Sequence, residues 1–456
     1  MEKLRNFING EYCDPKTGDY IDNYEPATGQ VYSLIPNSGA EDVELAVQAA
    51  EKAYPIWSKM SIDQRSKILV KLSEGIEARM EEFTFAESKD NGKPLSLATH
   101  VDIPRAVSNF HFFATAILHY ASESHNMEGV GINYTLRKPI GIIGCISPWN
   151  LPLYLFSWKI APALAAGNCV IAKPSEVTPY TAYLLGQVAK DAGMPDGVLN
   201  ILHGEGHTVG DAIVKHPKIK AISFTGGTKT GEYIARTAAP MFKKLSLELG
   251  GKNPNIIFDD CDFKEMMRTT LLSSFANQGQ ICLCGSRIFI QRGIYDKFKE
   301  EFVRKVGELV VSEPKNPNAK LGAVVSQSHM EKVLSYVDLA KQEGGTVLTG
   351  GERVLMDAPF ENGYYLRPTV IEGLAFDCRT NQEEIFGPVV TITPFDTEEE
   401  VLMMANSTDY GLSATLWTSD LKRAHRMANE IDAGIVWINA WLVRDLRTPF
   451  GGVKAS

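Results

Sequence analysis

The sequence predicts an α/β protein made of two doubly wound, Rossmann-like domains with a cleft between them. Three observations carry that expectation. The chain has 456 residues, too many for one compact core. From about residue 140, short apolar β-branched runs alternate with helix-like stretches, the pattern of βαβ units around a parallel sheet. A second alternating series follows residue 280. Ligands of such sheets sit at the carboxyl ends of the strands.

The elements follow in order. Asn9-Gly10, within Phe7-Ile8-Asn9-Gly10-Glu11-Tyr12, is a hairpin signal, and Pro26-Ala27-Thr28-Gly29 punctuates the next run. Val43, Ala46, Val47, Ala50, Ala53 and Tyr54 share one helical face, which Pro55 is expected to stop. A longer helical pattern covers 64–90 and breaks at Gly92-Lys93-Pro94. The segment 120–137 is polar and strand-like at its end, and reads either as a protruding hairpin or as a loop. Strand candidates of the first series are 141–147, 169–172, 199–203, 221–225 and 255–258; those of the second are 288–291, 389–395, 413–418 and 435–439. There is no internal repeat, low-complexity tract or long linker.

Composition narrows the function class. Hydrophobic residues at 44% and charged residues at 22% are the balance of a packed globular protein. The net charge of −9 argues against nucleic acid and against an anionic membrane surface as partners. No apolar run is long enough to span a bilayer, and the start, Met1-Glu2-Lys3-Leu4-Arg5-Asn6-Phe7, has no secretory h-region. The seven cysteines are odd in number and lack paired metal-ligand spacing, so no metal is expected and a reducing cytoplasm is the natural setting.

Five segments carry chemistry. In Phe275-Ala276-Asn277-Gln278-Gly279-Gln280-Ile281-Cys282 a cysteine follows a glycine-containing turn at an element end. Access and a local field favouring thiolate would make it a nucleophile; the alternative is an inert buried cysteine. Leu247-Glu248-Leu249-Gly250-Gly251-Lys252 holds a single carboxylate in an apolar run, which suits a general base of raised pKa or, equally, a Glu pointing to solvent. Pro148-Trp149-Asn150-Leu151-Pro152 places an Asn where a helix opens, either as an oxyanion donor or as the helix N-cap. Cys169-Val170-Ile171-Ala172-Lys173-Pro174-Ser175-Glu176 ends a strand with groups suited to ribose hydroxyls, or with a surface ion pair. Phe224-Thr225-Gly226-Gly227-Thr228-Lys229-Thr230-Gly231 is a strand, a glycine-rich turn and a helix start, as phosphate binding requires, without the usual GxGxxG form. Gly204, Gly206 and Gly210 make a weaker glycine-rich connection.

Together, in order and spacing from Asn23-Tyr24-Glu25-Pro26-Ala27-Thr28-Gly29 to Pro449-Phe450-Gly451-Gly452-Val453-Lys454, these segments and Glu384-Ile385-Phe386-Gly387-Pro388 resemble the aldehyde dehydrogenase superfamily. The resemblance implies NAD-dependent oxidation of an aldehyde to an acid through a cysteine thiohemiacetal and thioester. It implies Cys282 as nucleophile, Asn150 and the Cys282 N–H as oxyanion donors, and Glu248 as the base for hydrolysis. Cys284 reads as a neighbour. Lys173, Ser175 and Glu176 would hold the adenosine ribose, with Gly206 and Gly210 nearby. Ile146, Ser147, Pro148, Trp149, Phe224, Thr225, Gly226, Gly227 and Leu249 would line the cofactor path. Glu384 would hold the nicotinamide ribose and Phe386 would pack near the ring. An acidic Glu176 repels a 2′-phosphate, which favours NAD over NADP.

The implied domains are 1–118 with 139–249 for NAD, 119–138 as a β-hairpin for oligomerisation, 250–445 as the catalytic domain, and 446–456 as a return segment. A homodimer or homotetramer is implied with them. Family members continue past the Gly451-Gly452-Val453-Lys454-Ala455-Ser456 segment to a strand that joins a partner subunit, so a shortened chain is expected. Asp102-Ile103-Pro104-Arg105, Leu283-Cys284 and Trp441-Leu442-Val443-Arg444-Asp445-Leu446-Arg447 look like the branch that oxidises 2-aminomuconate or 2-hydroxymuconate semialdehyde. Arg105 and Arg444 are then candidates for a clamp on the substrate carboxylate, the alternative being surface or interdomain ion pairs. A general aldehyde dehydrogenase of other substrate range, a CoA-acylating relative and a scaffold without turnover are the competing classes; Glu248 favours water over CoA.

Overall fold

A computed structural model describing residues 1–456 realises the alternation as two separate seven-stranded sheets. In the first, Ile142–Ile146, Cys169–Lys173, Leu199–Ile201, Ile219–Thr225 and Lys244–Glu248 run parallel. Their order in space is Lys244–Glu248, Ile219–Thr225, Ile142–Ile146, Cys169–Lys173, Leu199–Ile201. The direction of winding therefore reverses between Ile142–Ile146 and Ile219–Thr225, and a crevice opens beyond their carboxyl ends. Cys169–Lys173 is buried at every residue, as a strand must be when helices cover both faces of the sheet. The hairpin Asn6–Ile8 with Glu11–Cys13 closes the far edge. Its turn residues Asn9 and Gly10 have φ of 53° and 79°, the left-handed pair that a two-residue turn requires.

The second sheet runs Thr346–Thr349, Thr369–Glu372, Val389–Phe395, Arg287–Gln291, Pro254–Ile257, Ser413–Trp417, Ile435–Ile438, with only Thr346–Thr349 antiparallel. Successive side chains leave by opposite faces. Ile257, Ile288 and Ile290 join a core with Phe275, Phe298 and Phe302. Ile256 and Phe289 join one with Met404 and Met427.

Several expectations are corrected. The run 255–258, grouped by the sequence with the first series, pairs inside the second sheet as Pro254–Ile257. Thr346–Thr349 and Thr369–Glu372 are strands that the sequence did not announce. The 64–90 pattern is two helices, Ile62–Ala78 and Met80–Asn91, broken at Arg79 without Gly or Pro. Pro55 does not stop its helix, which runs Ala40–Trp57; it falls in the last turn, where it removes one hydrogen bond, and the helix ends two residues on. The segment 120–137 contains the antiparallel hairpin Ser124–Met127 with Gly131–Tyr134, exposed at every residue. Near the end of the chain, Val453–Lys454 pairs with Tyr410–Gly411. No helix is long and apolar enough to cross a membrane.

Candidate active site

Beyond the two strand ends at the winding reversal lies a groove of about 680 Å³. Ile146, Ser147, Pro148 and Trp149 line it from one strand end, and Phe224, Thr225, Gly226 and Gly227 from the other. Lys173, Ser175 and Glu176 stand on the neighbouring strand end, facing Gly206 and Gly210. The helix Thr228–Ala238 starts at the groove with no side-chain cap, so its first N–H groups are free for an anion. A Cβ added at Gly206 or Gly227 would meet nothing within 4 Å; bare backbone faces the open groove at both places. The Lys173 side chain is buried, and its Nζ donates to Glu176 Oε2 at 2.8 Å, which is not the exposed surface pair that the sequence allowed. Burial alone would raise the Glu176 carboxyl, but Lys173 and backbone N–H groups outweigh it and hold the group below its ordinary value. An anion-binding helix start, bare glycine backbone and an ionised carboxylate suited to ribose hydroxyls fit a dinucleotide such as NAD.

A deeper space continues the groove toward Asn150, Leu249, Cys282, Glu384 and Phe386. Glu384 Oε1 accepts the Gly251 N–H at 2.8 Å. Phe386 has φ of 60°, meets the Trp149 ring edge-on at 5.3 Å, and is tied through its carbonyl to His329 Nε2 at 2.7 Å. His329 and Lys332, one turn apart on the helix Gln327–Gln342, also line this space. Sequence reasoning missed both, for no motif marks them. It missed Lys229, Thr230 and Tyr233 on the outer groove as well; their spacing after the Gly226-Gly227 turn was the available signal.

Cys282 follows a turn in which Asn277, Gln278 and Gly279 all take left-handed φ, 51°, 58° and 71°. A Cβ at Gly279 would lie 2.2 Å from the Gly387 carbonyl oxygen, so only glycine fits. Asn253 Nδ2 donates to the carbonyls of Cys282 at 2.7 Å and Cys284 at 2.9 Å, fixing the loop. Cys284 is turned into an apolar cluster with Leu412, Trp437 and Trp441, where burial pushes its thiol up to about 12. The field around Cys282 departs from expectation. Burial pushes its thiol well up, Glu384 and Glu248 push the same way, and Arg444 opposes them. The resting thiol is therefore protonated, and a base must take its proton.

Asn150 is not the helix cap. The helix begins at Pro152 with Leu151 before it, and Asn150 Nδ2 donates to the Gln280 carbonyl at 3.0 Å. An amide nitrogen carries two hydrogens, which leaves one for an oxygen bound beside Cys282 in the shared space. Glu248 ends the strand Lys244–Glu248. Its Oε2 is buried without a hydrogen-bond partner, not directed to solvent. Burial raises it to about 7 against the pull of Lys159 and Arg444.

Past Cys282 and Glu248 the passage narrows to an apolar funnel of about 60 Å³, walled by Tyr154, Trp158, Leu283, Leu442 and Phe450 and bounded by Arg444. Thr225 borders all three spaces, so they form one passage. The Arg444 guanidinium lies 4.1 Å from the Phe450 ring centre. Its Nη1 donates to Tyr154 Oη at 3.3 Å, while Nη2 is buried with no partner. Arg105 stands over the Tyr154 ring at 5.6 Å, outside the funnel lining, with its Nε buried and unpartnered. Neither arginine is in an ion pair, contrary to the surface or interdomain alternative.

A thiol, an amide donor and a carboxylate of near-neutral pKa along one passage suit nucleophilic acyl chemistry. The profile of the Aldehyde dehydrogenase family matches residues 12–456. The chain is 51% identical over 456 residues to 2-aminomuconic semialdehyde dehydrogenase of Mus musculus, across 99% of this chain and 93% of that protein. It is 47% identical over 462 residues to 2-hydroxymuconic semialdehyde dehydrogenase of Pseudomonas sp. (strain CF600), across 100% of this chain and 95% of that protein. The solved NAD+ complex of aldehyde dehydrogenase from Bacillus cereus matches with a TM-score of 0.97 at 38% identity, across 100% of this chain and 92% of that one.

Proposed function

The chain belongs to the aldehyde dehydrogenase family, and from that premise we propose that its substrate is a semialdehyde with a carboxylate beyond the reacting group, of the 2-aminomuconate or 2-hydroxymuconate 6-semialdehyde kind. The reaction is NAD-dependent oxidation of the aldehyde to a carboxylic acid. The Cys282 thiol passes its proton to solvent water, and Sγ bonds the carbonyl carbon. The resulting oxyanion takes hydrogen bonds from Asn150 Nδ2 and the Cys282 N–H. Lys173, Glu176, Glu384 and the Gly226-Gly227 turn would hold NAD, which would supply the acceptor for the hydride lost from that carbon. Glu248 then takes a proton from water, whose oxygen displaces Sγ from the thioester and releases the acid. A carboxyl that titrates at about 7 is partly ionised at neutral pH and serves as such a base.

The substrate assignment rests on Arg444. A guanidinium with a buried, unpartnered Nη2 lining the funnel is costly alone, and a carboxylate matches its fork. Arg105, over the same Tyr154 ring, adds a second cation behind the first. The names of the mouse and Pseudomonas relatives support the same substrate class. Arg444→Ala is expected to lower kcat/KM for the muconate-type semialdehyde by about 10- to 100-fold, with little loss on an uncharged aliphatic aldehyde. Equal losses on both would discard the carboxylate site.

We further assign a homo-oligomer, dimer or tetramer, in a reducing cytoplasm. Val130 and Ile132 on the exposed hairpin are 80% and 70% accessible, an apolar surface suited to a second copy. The free cysteines support the compartment.

A further inference from the structure

Behind the Asn150 loop lies an ion pair that the reaction does not use directly. The side chains of Lys93 and Asp102 are both fully buried and bonded to each other through Nζ and Oδ2. Lys93 Nζ also donates to the Asn150 carbonyl at 3.2 Å, which takes further hydrogen bonds from Asn277 Nδ2 at 2.9 Å and, at 3.5 Å, from Asn91 Nδ2. Asn91 Nδ2 holds the preceding carbonyl, that of Trp149, at 2.9 Å. Asp102 closes a π-helical turn, Ala98–Asp102, an irregularity that re-aims side chains and clusters at functional sites. Glu87, also buried, accepts the Leu153 N–H at 3.3 Å on the far side of the loop. Burial pushes the Glu87 and Asp102 carboxyls up, and Lys93 pulls both the other way.

A buried ion pair seldom adds net stability, because the loss of hydration offsets the attraction; apolar replacements of both partners often fold as well. The geometry offers another reason for its presence. We propose that Lys93, oriented by Asp102, is a positioning residue for the oxyanion site: its ammonium grips the Asn150 carbonyl and so fixes the direction of the Asn150 side-chain amide. The proposal rests on the oxyanion role assigned to Asn150. It goes further by identifying what holds that donor in place.

Two double variants test it, each removing both charges so that neither is left unpaired. Lys93→Met with Asp102→Leu is apolar; Lys93→Gln with Asp102→Asn keeps an uncharged N–H donor on a side chain one atom shorter than lysine's. Each is compared with the wild-type enzyme by thermal midpoint, by NAD affinity from fluorescence titration, and by the rate of the single-turnover NADH burst. Both are expected to bind NAD as the wild type does. The apolar pair is expected to slow the burst by about 10- to 100-fold, less than the loss of an oxyanion donor itself, and the amide pair to recover most of that loss. On an Asn150→Ala background the apolar pair is expected to change the burst by less than about twofold, since the two would act through one donor. An apolar pair with a wild-type burst, or losses that multiply with Asn150→Ala, would overturn the proposal while leaving Asn150 its role. A wild-type burst in Asn150→Ala alone would remove that role and the proposal with it. If the apolar pair does not fold, an amide pair that folds and binds NAD yet is as slow as Asn150→Ala overturns the proposal.

Discussion

Glu248 shows how one carboxylate acquires a pKa suited to neutral pH. Its ordinary value is 4.5, and burial lifts it to about 7 in the fold. If Glu248 is the base proposed, it is lost as the pH falls, and turnover limited by thioester hydrolysis should decline as pH drops through about 7. Glu248→Gln should abolish that limb, leaving a full NADH burst followed by slow turnover; wild-type steady turnover with no accumulated thioester would show another base at work. The same shift fixes a sign for stability. The folded carboxyl keeps its proton between 4.5 and about 7 while the unfolded one has lost it, so folding weakens as pH rises across that window. Glu248→Gln should therefore be more stable than wild type above pH 7, by up to about 3 kcal/mol, and no more stable below about pH 4. At this scale the motifs singled out Cys282, Glu248 and Asn150, which the fold brings to adjoining spaces, but spacing alone could not decide whether Asn150 caps a helix. That depended on the helix starting at Pro152. His329 was not legible, because its contact with Phe386 spans 57 residues of chain with no shared pattern.

The element that brings these residues together is the turn before Cys282. Asn277 and Gln278, two non-glycine residues, lie in the left-handed region, at about 1–2 kcal/mol each. Asn277 Nδ2 bonds the Asn150 carbonyl at 2.9 Å and Gln278 Nε2 bonds the Ala323 carbonyl at 3.1 Å, offsetting that strain. Gly279→Ala adds a third such residue and a clash with the Gly387 carbonyl. It should cost about 2–4 kcal/mol in unfolding by denaturant and slow the burst more than it weakens NAD binding; an unchanged midpoint would mean that the turn adapts. The glycine and the cysteine proposed as nucleophile were visible in the sequence, whereas the left-handed Gln278 was not, since glutamine has no propensity for it. The same limit hid the break at Arg79, where apolar periodicity runs on without Gly or Pro. It also hid Thr346–Thr349 and Thr369–Glu372, four-residue strands too short to show a period.

At the scale of the molecule, the alternation of apolar runs announced two wound sheets, while the strand order and the position of 255–258 needed the fold. The consequence is a passage shared between the two halves. The winding reversal of the first sheet supplies the outer groove, and the second half supplies Glu384, Phe386, His329 and Lys332 to the deeper space. A dinucleotide laid along it would touch both, whereas its adenosine end alone would touch only the first. NAD at about 100 times its Kd should then stabilise the enzyme by about 2.7 kcal/mol through linkage, and should slow amide hydrogen exchange in the first turns of Gln327–Gln342 as well as in Thr228–Ala238. AMP at equal saturation should protect Thr228–Ala238 and leave Gln327–Gln342 exchanging as in the free enzyme. Protection of both helices by AMP would mean that the halves close on the adenosine end alone. In that case the deeper space would form before the nicotinamide reaches it, and the two halves would be coupled by their own contacts, not by the cofactor that spans them.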